Sequence, residues 1–337
     1  MATGTALLTG ANSSLALLTV KHPLQNYPTY HLVLTVRNTS PSDPNTMSLR
    51  TIISEFPSSS TSIYALDLSS IAAVEAFASA IVTKIKDGTL PPLKTIICNA
   101  YAWSITTGLK HSQDGYELSL AVNHIAHFSL VLRLLGSFAL SPTKGRIIFL
   151  GSDSHYPDRS QLAQFPPGIP DDLEELSKPG QDKKGEEVGR GFQRYGNSKL
   201  VIVMMMYELN RQLLLDEKLK NIHVIAIDPG ALPASRAMSK DVPKAWQYGV
   251  GFVAVRLQPL LKYFIPALRL LKKAGADLAE ISVSEKYENE RCYYTCLKKD
   301  ESSTESQDKE KQERVWVKSL EWARIGKGGT VLKNSFE

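Results

Sequence analysis

Tyr195 and Lys199, in the run Tyr195-Gly196-Asn197-Ser198-Lys199, set a phenol and an ammonium four positions apart, so that on a helix they share one face. That pairing makes a proton donor. A free tyrosine titrates near pH ~10, and a neighbouring cation stabilises the phenolate and brings proton transfer closer to neutral pH. The spacing alone is a weak signal, because thirteen tyrosines with ordinary lysine usage supply about one such pair by chance. A second pair is indeed present, Tyr294 with Lys298. The elements around each pair must distinguish them.

Short runs rich in β-branched residues alternate with helix-sized segments, which predicts strands at 5–9, 31–36, 62–65, 95–98, 146–150 and 222–227. The runs are short and almost wholly apolar, as strands buried on both faces are. The fold class is therefore α/β, with a doubly wound parallel sheet of the Rossmann type covered by helices on both faces. We expect one domain over 1–337, with an insertion at about 155–192, a helical region on the substrate side at about 237–290 and a C-terminal helical extension. Ligands of such sheets sit beyond the carboxyl ends of the strands, so the informative residues follow each run.

After the first run comes Thr9-Gly10-Ala11-Asn12-Ser13-Ser14-Leu15-Ala16, a turn opening a helix whose free N–H groups and dipole suit a diphosphate. Close packing of small residues would produce the same string. The second run ends at Arg37, with no acid to bind a ribose diol, and an arginine there suits a 2′-phosphate or is simply solvated. Asp67, in Leu66-Asp67-Leu68, bonds an adenine amino group or caps a helix beginning at Ser69 or Ser70.

Composition narrows the classes. The 337 residues are 43% hydrophobic, enough for a substantial core, and the formal charge of +5 is scattered rather than striped, which does not suggest nucleic acid. Cys98, Cys292 and Cys296 make no disulfide framework and fit a reducing cytoplasm, and Cys292 with Cys296 lacks a second ligand pair at zinc spacing. His124 and His127 have no accompanying carboxylate and are read as packing. The first residues enter an apolar run without a basic leader, which does not read as a signal peptide. Val250 to Leu271 is apolar but carries Arg256, Gln258, Lys262 and Arg269, so it suits an amphipathic helix for a core, a subunit interface or weak membrane-surface contact.

Together these segments, in this order, resemble the short-chain dehydrogenase/reductase family over nearly the whole chain. Thr9 and Gly10 match its nucleotide turn, with Ser14 and Ala16 at the later glycine places. Cys98-Asn99-Ala100-Tyr101 matches its Asn-Asn-Ala-Gly segment, Asn123 its helix asparagine, Ser152 its serine, Tyr195 and Lys199 its reactive pair, and Pro229-Gly230 its nicotinamide loop. Val122-Asn123-His124 and the segment around Trp316 are similar to the retinol-dehydrogenase-like and protochlorophyllide-reductase-like branch. The residues around Gly191 to Tyr195 are similar to fungal ketoreductases of specialised metabolism.

The resemblance implies NADPH as cofactor, bound by Gly10, Asn12, Ser13, Ser14, Leu15, Arg37, Asp67, Leu68, Asn99, Ala100, Tyr195, Lys199, Pro229, Gly230 and Ser235. It implies that Tyr195 protonates and Ser152 hydrogen-bonds the oxygen of a ketone receiving hydride. Lys199 would lower the tyrosine pKa and bond the ribose, and Asn123 would hold a proton-relay water or, alternatively, kink its helix. Ser14 adds a hydroxyl where the backbone approaches the diphosphate, and Tyr101 stands for a glycine beside the nicotinamide.

Ser152 and Tyr195 lie 43 positions apart, more than compact members need, which places the insertion between them, as a cover for the cleft or as a plain surface loop. Lys298 to Arg314 reads as a solvated excursion before a last helix. The expected substrate is a bulky apolar ketone, plausible as a polyketide-derived or other specialised metabolite, and the protein a monomer or homodimer of the cytoplasm. A membrane-peripheral oxidoreductase for retinoids or sterols and a cofactor-binding scaffold steering a non-redox step are the alternative readings.

Overall fold

The structure, a computed structural model, describes residues 2–138, 140–141, 144–159, 164–244, 247 and 268–332. Seven parallel strands run β1 (Gly4–Leu8), β2 (Tyr30–Val36), β3 (Ser60–Ala65), β4 (Leu93–Cys98), β5 (Gly145–Leu150), β6 (Ile222–Asp228) and β7 (Tyr293–Thr295), and β8 (Lys298–Lys299) closes the edge antiparallel. Their order across the sheet is β3-β2-β1-β4-β5-β6-β7-β8. The chain reverses direction of winding between β1 and β4, so the crevice at their carboxyl ends is the ligand position of a doubly wound sheet.

Strand periodicity divides the interior into two cores. Leu7, Val33, Ile96, Ile147 and Phe149 point to one face, and Ala6, Leu8, Leu34, Ile148 and Leu150 to the other. Over the first face lie α3 (Ile71–Lys86), α4 (Leu118–Phe138) and α6 (Glu187–Leu214), α5 being the short Glu174–Ser177. Under the second, α1 (Ser14–Asn26) packs against α7 (Leu271–Val283), and Gly275 permits the approach because a Cβ there would stand 2.6 Å from Leu18 Cβ. Alpha4 is long and apolar enough to cross a membrane, but 83% of its apolar stretch is buried inside the protein. Its hydrophobicity serves the core.

Two expectations are corrected on the β6 side of the sheet. Tyr294 and Lys298 do not follow the last strand; they belong to a seventh and an eighth, with Tyr294 opposite Lys299 and Thr295 opposite Lys298. The turn between them uses Cys296 and Leu297 at φ of 50° and 64°, left-handed values that usually recruit Asn or Gly. The polar segment beyond is no solvated excursion either. Ser302, Ser303 and Ser306 are buried, Ser306 donates to the Ser303 carbonyl at 2.6 Å, and α8 (Lys309–Trp322) begins at a cap formed by Asp308. Trp316 of α8 meets Phe128 of α4 edge-on at 5.0 Å between ring centroids.

The amphipathic segment 250–271 lies outside the described residues except for 268–271. Of the region 237–290, α7 packs against α1, and residues 245–246 and 248–267 lie outside the described residues.

Candidate active site

Alpha6 places Tyr195 and Lys199 on one face, against the ends of β5 and β6. The Tyr195 side chain faces that of Ser152, two residues beyond β5, close enough for the serine hydroxyl to favour the phenolate. Lys199 Nζ donates to the Leu150 carbonyl at 2.7 Å and lies 5.6 Å from the Tyr195 ring centroid. Ser152 also donates to Asp153 Oδ1 at 3.2 Å, and its carbonyl accepts from His155 Nδ1 at 2.5 Å. The other nitrogen of His155 accepts from Ser303 N–H at 3.1 Å, and burial brings this imidazole down to about 4. A neutral His155 therefore braces the serine from behind.

The electrostatics reverse one expectation. Burial lifts the Tyr195 phenol well above its ordinary range, Tyr101, Asp228 and Asp153 add to the rise, and the Ser152 hydroxyl only partly opposes it. Lys199 is itself brought down to about 7 by burial, with Asp228 pulling the other way. Asp228, at the end of β6, is driven up to about 6 by burial and by Asp153, against bonds from the Gly230 and Asp153 N–H groups. Tyr195 is thus a protonated acid at neutral pH, and the groups poised to titrate there are Lys199 and Asp228. A desolvated ammonium sheds charge more readily than it stabilises a phenolate.

Asn123 sits in a π-helical turn of α4, Ala121–Ile125. Its oxygen accepts from Ala102 N–H at 2.7 Å, and its amide donates to the Ala102 carbonyl at 3.1 Å and to Ser198 Oγ at 2.9 Å. Asn123 is thus bonded through its side chain to the loop after β4 and to α6. Its carbonyl accepts from His127 Nδ1 at 3.0 Å, while His127 Nε2 meets Thr9 Oγ1 at 2.9 Å. His127 thereby ties the Tyr195 side of the cleft to the turn after β1, and His124 pairs with Ser319 at 2.7 Å.

That turn fits a diphosphate on its own geometry. Gly10 has φ of 63°, and a Cβ there would stand 2.9 Å from Ala100 Cβ, so only glycine brings the backbone this close to β4. Asn99 holds it by donating to the Thr9 carbonyl at 2.9 Å and the Gly10 carbonyl at 3.2 Å. Ser13 caps α1 by accepting from Ala16 N–H at 3.1 Å, which leaves the first N–H groups of the helix, including those of Ser14 and Leu15, without intrahelical acceptors. Asn12 donates to Thr46 Oγ1 at 3.0 Å. Arg37 is exposed at the end of β2, with no side-chain partner among the described residues, while Leu68 is buried. Asp67 is not the cap of α3: it accepts from Ser69 N–H at 2.9 Å and Gln113 Nε2 at 2.9 Å, and Ser70 caps the helix.

Two loops border the reacting groups. Tyr101, Trp103 and Tyr195 form an aromatic corner, with Trp103 edge-on to Tyr195 at 5.4 Å and Tyr101 6.2 Å from it. The loop after Pro229-Gly230, where Gly230 has φ of 84°, closes from the opposite side. Ser235 lies beside the Tyr101 hydroxyl, the Lys240 carbonyl accepts from Trp103 Nε1 at 3.3 Å, and the Asp241 carboxylate accepts from the Ile105 and Thr106 N–H groups at 3.0 and 3.1 Å.

The middle of the insertion, around Pro166 to Gly168, packs on α6. Pro166 accepts from Gln193 and Gly168 donates to Asn197, on the face of α6 roughly opposite Tyr195 and Lys199. There it lines a separate cleft of about 720 Å³ with Arg190 and Glu305. Around Pro166 and Gly168 its backbone finds partners on α6, while His155 at its start stays against Ser152.

Sequence reasoning missed Asp228, His155, Trp103 and Arg236. An acid directly before Pro229-Gly230 and a cation directly after Ser235 are signals that were visible.

Comparisons with known proteins agree with this architecture. A model of the AcuH dehydrogenase domain matches residues 236–332. The chain is 30% identical to the short-chain dehydrogenase iccH of Talaromyces variabilis across 98% of each chain. It is 25% identical to protochlorophyllide reductase A, chloroplastic, of Arabidopsis thaliana, across 93% of this chain and 75% of that one. The NADPH-bound carbonyl reductase from chicken fatty liver has a similar fold, with a TM-score of 0.57 at 16% identity, over 90% of this chain and 100% of that one.

Proposed function

This chain belongs to the short-chain dehydrogenase/reductase family, and from that premise we propose that it is an NADPH-dependent carbonyl reductase converting a bulky apolar ketone into a secondary alcohol. The observation that carries the reading is the placement of the Tyr195 and Ser152 side chains side by side, with Lys199 one helical turn beyond the tyrosine. The aromatic corner of Tyr101 and Trp103 beside that pair favours a flat, apolar substrate, such as a specialised metabolite of polyketide origin. Burial of α4 in the core favours a packing role for that helix over membrane insertion.

NADPH, when bound, supplies the hydride. The chain's own work is on the oxygen. Tyr195 O–H donates its proton to the carbonyl oxygen as negative charge develops there, and Ser152 turns its hydroxyl from Asp153 to give a second hydrogen bond. Both donors act most strongly on the transition state, which is what lowers the barrier. Lys199 holds positive charge beneath the phenol as its proton leaves.

That charge is present below about pH 7 and lost above it, so kcat/KM for reduction falls as pH rises through Lys199's titration. Asp228 supports the charged lysine. Asp228→Asn therefore shifts the falling limb to lower pH, and a limb that stays in place or moves upward in kcat/KM profiles contradicts this role.

Arg37 is the group for the 2′-phosphate. Removing a charge-assisted bond costs about 1.5–3 kcal/mol, so Arg37→Ala weakens NADPH by roughly 10- to 150-fold by calorimetry and leaves NADH unchanged. Equal losses for the two nucleotides count against it. The activity itself is tested by following NADPH consumption against ketones graded from small aliphatic to polycyclic aromatic. Turnover confined to small polar ketones, or absent throughout, rejects the assignment.

A further inference from the structure

The geometry points to Arg236 as a diphosphate-binding residue of the dinucleotide site, positioned for that task by Ser14; this rests on the cofactor reading above. Arg236 follows Ser235 in the loop beyond Gly230, yet its contacts are with the turn after β1, more than two hundred positions earlier in the chain. Its backbone N–H donates to Ser14 Oγ at 3.1 Å, its Nε donates to the same oxygen at 3.2 Å, and its Nη2 donates to the Asn12 carbonyl. A main-chain and a side-chain bond to one hydroxyl fix both where the residue sits and how its guanidinium is turned.

The guanidinium therefore lies along Asn12 to Ser14, beside the first N–H groups of α1. Those N–H groups present partial positive charge, and a diphosphate carries two formal negative charges. Among the described residues Arg236 is the one cationic side chain hydrogen-bonded to the turn. Lys21, further along α1, is paired with Glu55 at 2.6 Å, and Lys199 bonds Leu150 across the cleft. Nη1 of Arg236 has no hydrogen bond to protein among the described residues, and a guanidinium can present two parallel donors to a phosphate.

Ser14 acquires a purpose in this arrangement. Glycine at that place lets the backbone come closest to the diphosphate; serine gives up some of that approach and gains an acceptor that holds a cation there instead. With Nε on Ser14 and Nη2 on the Asn12 carbonyl, Nη1 at the outer end of the guanidinium is left for a phosphate oxygen.

Calorimetry on the full chain tests this with three probes: NADPH, ADP-ribose, which keeps the diphosphate without the nicotinamide, and 2′-AMP, which has no diphosphate. Arg236→Ala should weaken NADPH and ADP-ribose by about 10- to 150-fold and leave 2′-AMP within about twofold, with Arg236→Lys recovering part of the loss. Ser14→Gly should weaken the first two less, and the effect of Arg236→Ala should shrink in the Ser14→Gly background, because neighbours acting through each other are not additive. If the native protein binds NADPH but ADP-ribose affinity is unchanged in Arg236→Ala, the assignment of Arg236 is overturned while the cofactor reading stands. If 2′-AMP weakens equally, Arg236 serves the other phosphate and the assignment is likewise overturned. A native protein that binds no NADPH overturns both. Full additivity of Ser14→Gly and Arg236→Ala overturns the positioning role of Ser14.

Discussion

Tyr195→Phe lowers kcat for ketone reduction by about 10²- to 10⁴-fold, the range in which a positioned general acid operates, and leaves NADPH affinity nearly unchanged. The substitution removes one oxygen. The ring keeps its neighbours, Trp103 at 5.4 Å and Tyr101 at 6.2 Å, so the aromatic corner persists. Burial keeps the native phenol protonated throughout neutral pH, and a reductase needs that form of the group at the start of each turnover. Single-turnover measurements separate this chemical loss from any change in binding. A variant retaining more than about a tenth of native kcat, with hydride transfer rate-limiting, would remove Tyr195 from the proton path.

Ser152→Ala produces the second large loss, about 10²- to 10³-fold in kcat, comparable to deleting one donor to a developing oxyanion. Ser152 is held by its backbone, through His155, so alanine keeps that anchor while it deletes the hydroxyl and the cap that the hydroxyl gives Ser154 N–H at 3.2 Å. The two losses do not multiply. Tyr195 and Ser152 stand side by side and act on the same oxygen, so the double variant should fall little below Tyr195→Phe alone. Multiplicative losses in kcat would show that the hydroxyls serve separate steps.

The sheet was legible because its strands are almost purely apolar and regularly spaced. Leu7, Val33 and Ile96 alternate with residues facing the other core, and the observed strands differ from expectation mainly by extra residues at their ends, as β3 and β4 do at their starts. The β7 and β8 hairpin was not legible, since its turn places Cys296 and Leu297 in left-handed conformations without the usual glycine or asparagine. Asp67 was placed near the correct helix start, but the cap passed to Ser70 because Gln113, distant in sequence, takes up the acid's second oxygen.

The chemistry of the site divides in the same way. Spacing brings Tyr195 and Lys199 to one face, but the acidity of the phenol depends on its burial and on Tyr101 beside it, whose loop continues into a stretch tied by Asp241. No local pattern encodes that closure. The Ser14 and Arg236 contact is of the same kind: each residue alone looks like a departure or a surface cation, and their pairing exists only once β1 and β6 share a sheet.

The central claim is tested most directly by incubating the native protein and Tyr195→Phe with NADPH and a flat, apolar aromatic ketone, and measuring secondary alcohol formed against NADPH consumed. The account predicts one alcohol for each NADPH with the native protein and almost none with the variant. NADPH that binds but is never consumed, or equal alcohol formation by the two proteins, would contradict it.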